Sequence, residues 1–223
     1  MSILAGQRTV LLAGATGLVG GLILQSLLAD QTVSQVHALS RRPLNIRHPK
    51  LQVHIVDFSC VPALPQADEV YLALGTTIKI AGSQAAFRAV DLTANLAVAQ
   101  AAVAAGARRI GLVSAVAADA RSVTFYNRVK GELEDALKAL DFTALVIARP
   151  SLLLGDRDGL QQPLRIGEKI ATPIARLLSP IIPGIYRPVL ARAVAQALVK
   201  TVPTAEGVVV LASDVLARIG GEH

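Results

Sequence analysis

Tyr126 and Lys130 stand four residues apart in the stretch Tyr126-Asn127-Arg128-Val129-Lys130, and Ser114 precedes them by twelve residues. On a helix, positions four apart project from one face, so a phenol and an ammonium at this spacing share one space. The ammonium favours the phenolate and lowers the tyrosine pKa from about 10. A tyrosine tuned in this way exchanges a proton with a carbonyl or alcohol oxygen near neutral pH, which is what general acid–base catalysis requires. Ser114 closes an apolar run that reads as a strand, and in an open parallel sheet the strand carboxyl ends border the ligand crevice. The same pair, met alone, also describes a core-edge tyrosine beside a solvated lysine, so the preceding sequence decides its meaning.

That preceding sequence holds a glycine turn. Gly14-Ala15-Thr16-Gly17-Leu18-Val19-Gly20 comes directly after the apolar run Thr9–Ala13 and reads as strand, turn and helix start. Gly14 and Gly17 leave the backbone open to a dinucleotide pyrophosphate, and Gly20 lets the helix pack closely on the strand. The amides of the first helical turn then meet the anion, which brings Thr16, Leu18 and Val19 into the expected contact set. The second strand ends in Ser40-Arg41-Arg42. An acidic residue there would accept from a ribose 2′-hydroxyl, whereas arginine complements a 2′-phosphate, so Arg41 and Arg42 favour NADP(H) over NAD. Asp57, past the third strand, either meets the adenine region or caps a turn. Leu74-Gly75-Thr76-Thr77 leaves the fourth strand at the cofactor end. Gly75 permits close backbone approach, and Thr76 and Thr77 offer hydroxyls to phosphate or ribose, although a plain strand-end turn would look similar.

The elements that must carry these residues can be read from hydrophobic period. Strands are expected at Thr9–Ala13, Gln35–Leu39, Leu51–Val56, Glu69–Leu74, Arg109–Val113 and Thr143–Ala148, with helices at Leu18–Ala29, Gln84–Ala105 and Val123–Leu140. Gly106 is placed as the cap that ends the second helix. This alternation predicts an α/β fold, a Rossmann-type doubly wound parallel sheet. After Arg149-Pro150 the texture changes, with Pro163, Pro173, Pro180, Pro183 and Pro188 interrupting apolar segments. Residues 1–223 are read as a single domain in which 150–223 form a small C-terminal substrate-side region. There Pro188 opens a helix over Val189–Lys200, Gly207–Leu211 adds a late strand, and Ser213 caps a last helix over Asp214–Ile219.

Composition narrows the function classes. Of the 223 residues, 52% are hydrophobic and 17% charged, which fits a globular protein with one substantial core. Thr9–Ala29 contains no charge, but its four glycines divide it into a strand and a helix, so neither membrane insertion nor export is expected and the chain reads as cytoplasmic. Cys60 is the single cysteine and reads as a buried, inert thiol in a reducing compartment. The four histidines lack the spacing and company of metal ligands, so no metal is expected. A formal charge of +6 could serve nucleic acid, but no basic tract concentrates it, and with no Trp, four Phe and three Tyr there is little to stack on bases. An anionic cofactor and a solvated basic surface explain the charge more simply.

Taken together, Gly14–Gly20, Leu74–Thr77, Ser114 and Tyr126–Lys130 resemble a short-chain dehydrogenase/reductase. The likeness is nearest to the atypical branch with the NmrA-like and Tat-interacting-protein-like oxidoreductases. Ala81-Gly82-Ser83, Val90-Asp91, Ser114-Ala115, Tyr126–Glu132, and Arg149-Pro150 with Leu153-Leu154-Gly155-Asp156-Arg157 after it extend the match. The resemblance covers nearly the whole chain and is strongest through residue 157. It implies that Ser114 hydrogen-bonds the substrate oxygen, that Tyr126 gives or takes the proton, and that Lys130 holds the nicotinamide ribose while tuning Tyr126. One departure concerns the proton relay: where many members carry Asn in the fourth helix, this chain has Asp91, with Asn95 one turn further on. The expected function is an NADP(H)-dependent oxidoreductase of a small carbonyl or alcohol substrate. The alternative is an NADP(H)-binding regulatory or sensor protein, against which the Ser114, Tyr126 and Lys130 set counts, since a sensor has no need of a tuned phenol. The apolar stretch Gln84–Ala105 offers a face for homo-oligomer formation.

Overall fold

A computed structural model describes residues 7–155 and 183–221. Strands β1 (Arg8–Ala13), β4 (Glu69–Leu72), β5 (Arg109–Val113) and β6 (Ala144–Arg149) are apolar along nearly their whole length, as strands covered on both faces must be. With β2 (Val33–Ser40), β3 (Leu51–Ile55) and β9 (Gly207–Ala212) they form a seven-stranded sheet in the order β3-β2-β1-β4-β5-β6-β9. Every neighbouring pair is parallel. This is the expected doubly wound, Rossmann-like architecture, with the late strand β9 seated beside β6.

Helices cover both faces. On one side α1 (Leu18–Ala29), α6 (Ala191–Thr201) and α7 (Ser213–Gly220) bury Ile23, Leu24, Leu27, Val194, Leu198 and Leu216 against Val10, Leu12 and Val146. On the other, α4 (Asn95–Ala104) and α5 (Phe125–Lys138) set Val98, Ala102, Leu133 and Leu137 on Leu11, Leu72, Ile110 and Leu112. Each fully buried branched side chain of this kind contributes about 1.5–3 kcal/mol relative to an exposed one. No helix among the described residues is long and apolar enough to cross a membrane.

Several expected boundaries shift for physical reasons. The single helix expected over Gln84–Ala105 is divided into α3 (Gln84–Arg88), a π-helical turn over Ala89–Ala94, and α4; a short helix α2 (Ile78–Ala81) precedes them. The widened turn contains Asp91, whose carboxylate is held from outside its own helix, and such turns recur where side chains need special placement. Gly106 lies just past α4 with a φ of 102°, as a terminating glycine should. The helix expected from Val189 starts at Ala191, because Val189–Leu190 forms strand β8 and pairs in parallel with β7 (Leu153–Leu154). Ser213 does not cap α7: Ala212 occupies the cap position, and the Ser213 hydroxyl accepts the Ser151 amide at 2.7 Å. Cys60 is exposed rather than buried, since the chain has left the sheet after Ile55. Pro163, Pro173, Pro180, Asp156 and Arg157 lie outside the described residues.

Two glycines set how closely α1 and the β4 exit approach the end of β1. Gly14 has a φ of 99°, and a Cβ there would overlap the backbone of Ala73. A Cβ on Gly20 would overlap the carbonyl oxygen of Gly14, backbone that cannot swing aside. Gly20→Ala is therefore expected to cost about 1–3 kcal/mol in urea unfolding, the usual effect of overpacking. An unchanged unfolding midpoint would show that the turn tolerates the extra atom.

Candidate functional site

The sheet order reverses direction between β1 and β4, which opens a crevice beyond their carboxyl ends. The turn of Gly14 to Gly17 lies at that opening and feeds α1. Gly17 occupies the cap position of α1, where no side chain makes a capping hydrogen bond and no acidic residue stands in the first turn. The helix start thus keeps its positive end and presents backbone rather than side chains, a cradle that suits a phosphate-bearing cofactor. At Gly17 a Cβ would lie 3.3 Å from the Gly14 oxygen and line the same hollow. Leu18 is partly buried, Val19 and Gly20 are buried, and Thr16 is exposed beside them.

Arg41 and Arg42 emerge at the end of β2 and are exposed; neither takes part in an ion pair among the described residues. Asp57 behaves as a turn residue: its Oδ1 accepts the Ser59 amide at 2.9 Å. That backbone hydrogen bond, joined by one from the Ser59 side chain, holds its carboxyl below the ordinary aspartate range. The β4 exit is pinned from several sides. Asn95 Nδ2 donates to the Leu74 carbonyl at 3.1 Å, and the Thr76 amide donates to Asp91 Oδ2 at 2.8 Å. The Thr77 hydroxyl oxygen accepts the Ile80 amide at 3.2 Å and caps α2, so this hydroxyl serves the helix. Gly75 stays exposed between them.

Helix α5 carries the pair that could do acid–base chemistry. Tyr126 is 39% exposed, its ring 5.6 Å from that of Phe87 on α3. Lys130, one turn on, is buried, with its Nζ 2.7 Å from Asp91 Oδ1. Burial alone would push the lysine down. The Asp91 charge, the neighbouring phenol, the Asp91 hydrogen bond and the Glu134 charge outweigh it, so Lys130 holds its proton above the ordinary lysine range.

Ser114, at the end of β5, is buried and donates its proton to Glu134 Oε1 at 2.5 Å. Arg149, at the end of β6, clamps Glu134 through Nε at 3.0 Å and Nη2 at 2.5 Å. The hydrogen bond to Glu134, set against partial burial and reinforced by its charge, raises the Arg149 pKa. Ser114 thus has its hydroxyl proton held on a carboxylate. Glu134 and Arg149 were not among the residues expected from sequence. Two signals point to them: Glu134 stands four residues after Lys130 on the same helix face, and Arg149 ends the strand paired with the one that Ser114 closes. Among the described residues no group of three or more His, Cys, Asp or Glu side chains is placed to hold a metal ion.

A glycine cradle at the switch point of a parallel sheet is the arrangement that suits a dinucleotide cofactor. The chain belongs to the NAD(P)H-binding family, whose model matches residues 14–176. Its relatives include proteins named fmp52. The Emericella nidulans protein "fmp52, mitochondrial" is 35% identical over 162 residues, 68% of this chain and 70% of that protein. "FMP52-1, mitochondrial" of Scheffersomyces stipitis is 35% identical over 180 residues, 75% of this chain and 80% of that protein. Among solved structures, MoeE5 in complex with UDP-glucose and NAD shares the fold with a TM-score of 0.70 at 17% identity, covering 96% of this chain and 81% of that one.

The relatives correct one expectation. Their names place them in mitochondria, which overturns the cytoplasmic reading. That reading rested on a lone cysteine and the lack of a spanning segment, and neither feature separates one reducing compartment from another.

Proposed function

We propose that this NAD(P)H-binding protein is an NADPH-dependent oxidoreductase acting on a small carbonyl or alcohol substrate. The observation that carries the reading is the partly exposed Tyr126 one turn from a buried, charged Lys130, which Asp91 ties to the β4 exit beside the turn after β1. A phenol that fronts a crevice with an ammonium behind it is arranged to release and regain a proton.

Gly14, Thr16, Gly17, Leu18, Val19 and Gly20 would hold the pyrophosphate on the first-turn amides of α1. Arg41 and Arg42 would meet the 2′-phosphate, with Asp57 near the adenosine end, and Leu74, Gly75, Thr76 and Thr77 would run alongside the cofactor toward the nicotinamide. When bound, the cofactor supplies or accepts hydride. Tyr126 moves the proton at the substrate oxygen, and Lys130 supports its phenolate and holds the nicotinamide ribose. Ser114 would turn its hydroxyl proton from Glu134 to the substrate oxygen, leaving the one hydroxyl hydrogen of the alcohol form to Tyr126. The described residues after Arg149 would form the substrate side of the same domain.

The parent protein should bind NADPH more tightly than NADH in calorimetry. Arg41→Ala with Arg42→Ala should remove that preference, since charge-assisted hydrogen bonds contribute roughly 1.5–3 kcal/mol each. Equal affinities in the parent would contradict the assignment of these arginines.

Tyr126→Phe should keep NADPH binding and lose about 100- to 10,000-fold in turnover of a carbonyl found by panel screening, because it deletes the proton and keeps the ring. Stopped-flow absorbance isolates the hydride step. Hydride transfer at the parent rate would remove Tyr126 from the mechanism.

A further inference from the structure

Lys130 and Asp91 form an ion pair in which both partners are out of solvent: the side chains are 5% and 1% exposed, and Nζ lies 2.7 Å from Oδ1. The other carboxylate oxygen is also engaged, accepting the Thr76 amide at 2.8 Å. Asp91 itself sits in the π-helical turn, whose backbone is fastened by Asn95 Nδ2 to the carbonyls of Val90 and Asp91 at 3.3 and 3.1 Å. One carboxylate thus joins the lysine of α5 to the segment leaving β4. We propose that Asp91 is a positioning residue that keeps Lys130 charged and aims its ammonium at the β4 exit. The functional value of this arrangement rests on the oxidoreductase reading, in which Lys130 serves the ribose and Tyr126.

Competing electrostatic effects decide the charge of Lys130. An ammonium buried without a partner gives up its proton, and fully buried lysines are displaced downward by up to about 3–5 pH units. Lys130 is displaced upward, although burial is the largest single influence on it. The groups acting on it are Asp91 from the π turn, and Tyr126 and Glu134 from its own helix. Glu134 is already committed to Arg149 of β6 and to the neutral Ser114 of β5, and the β4 exit contributes the uncharged Thr76. Asp91 is therefore the carboxylate that makes direct contact with the ammonium among the described residues.

Removing Asp91 should reverse the pH dependence of stability that Lys130 contributes. In the parent, Lys130 binds its proton more tightly folded than unfolded, so this contribution is complete at neutral pH and is lost only above the ordinary lysine range. In Asp91→Asn the order reverses: the folded state releases the proton at a lower pH than the unfolded chain does. Stability of the variant then rises with pH across the interval where the parent gains nothing from this group.

The test is urea unfolding of the full chain without cofactor, monitored by circular dichroism at pH 7 and pH 9.5. The proteins compared are the parent, Asp91→Asn, Lys130→Met and the double variant. The penalty of Asp91→Asn on the folding equilibrium constant should shrink by about tenfold or more between the two pH values, and should show no such change in the Lys130→Met background. A smaller change overturns the proposal, because Lys130 would then keep its proton without Asp91. Should Asp91→Asn fail to fold at pH 7, the double variant decides the matter. Folding of the double variant supports the proposal, and failure overturns it by assigning the role of Asp91 to Thr76 instead. None of these readings uses cofactor or turnover, so a protein that binds NADPH and never reduces a substrate would defeat the oxidoreductase reading while leaving this result intact.

Discussion

The closeness with which the turn after β1 meets its surroundings governs the rest of the site. Gly14 presses on the backbone of Ala73, and Gly20 lets the first turn of α1 settle on the Gly14 carbonyl. Any side chain at either place would move α1 away from the sheet, and with it the amides that form the cradle. The same contact fixes the exit of β4, since Ala73 leads directly into Leu74–Thr77. Cradle and β4 exit are thus one packing unit, and backbone without side chains is what brings a helix start to the carboxyl ends of the strands.

Charge is handled differently at the two ends of the crevice. At the β2 end, Arg41 and Arg42 stand in solvent with no ion-pair partner among the described residues, ready to be neutralised by an anion. At the β4 and β5 ends, two buried carboxylates each tie down a group of opposite or polar character: Asp91 holds Lys130, and Glu134 holds Arg149 and Ser114. Buried pairs of this kind give little net stability, since desolvation offsets much of the attraction. What they do supply is direction: the ammonium, the serine hydroxyl and the β4 exit are each fixed by a named hydrogen bond. Tyr126, 39% exposed and packed on Phe87, is the member of the set that solvent reaches most.

The sheet was readable in sequence because buried parallel strands are short apolar runs bounded by helix-period segments, and that alternation sets Gly14 and Ser114 at strand ends and Tyr126 and Lys130 on the helix after β5. What failed to show was long-range. The π turn at Asp91 interrupts a helix whose local propensity is unbroken, and the pull of Lys130 and Thr76 on that carboxylate comes from other elements. Ser213 looked like a cap because its type suits one, yet its hydroxyl is taken by Ser151, a partner sixty-two positions away. Glu134 carried a visible helical spacing to Lys130, but its clamp by Arg149 needed the pairing of β5 with β6 to be known. Cys60 is exposed because it follows the end of β3, which its residue type alone does not reveal.

That one crevice holds the dinucleotide along the glycine cradle and delivers its nicotinamide to Tyr126 and Lys130 is tested most directly by a crystal structure of the chain with NADPH. Density is expected for the pyrophosphate on the first-turn amides of α1, for the 2′-phosphate at Arg41 and Arg42, and for the nicotinamide ribose at Lys130. A cofactor seated away from the β1 and β4 carboxyl ends, or with its nicotinamide remote from Tyr126, would contradict this arrangement.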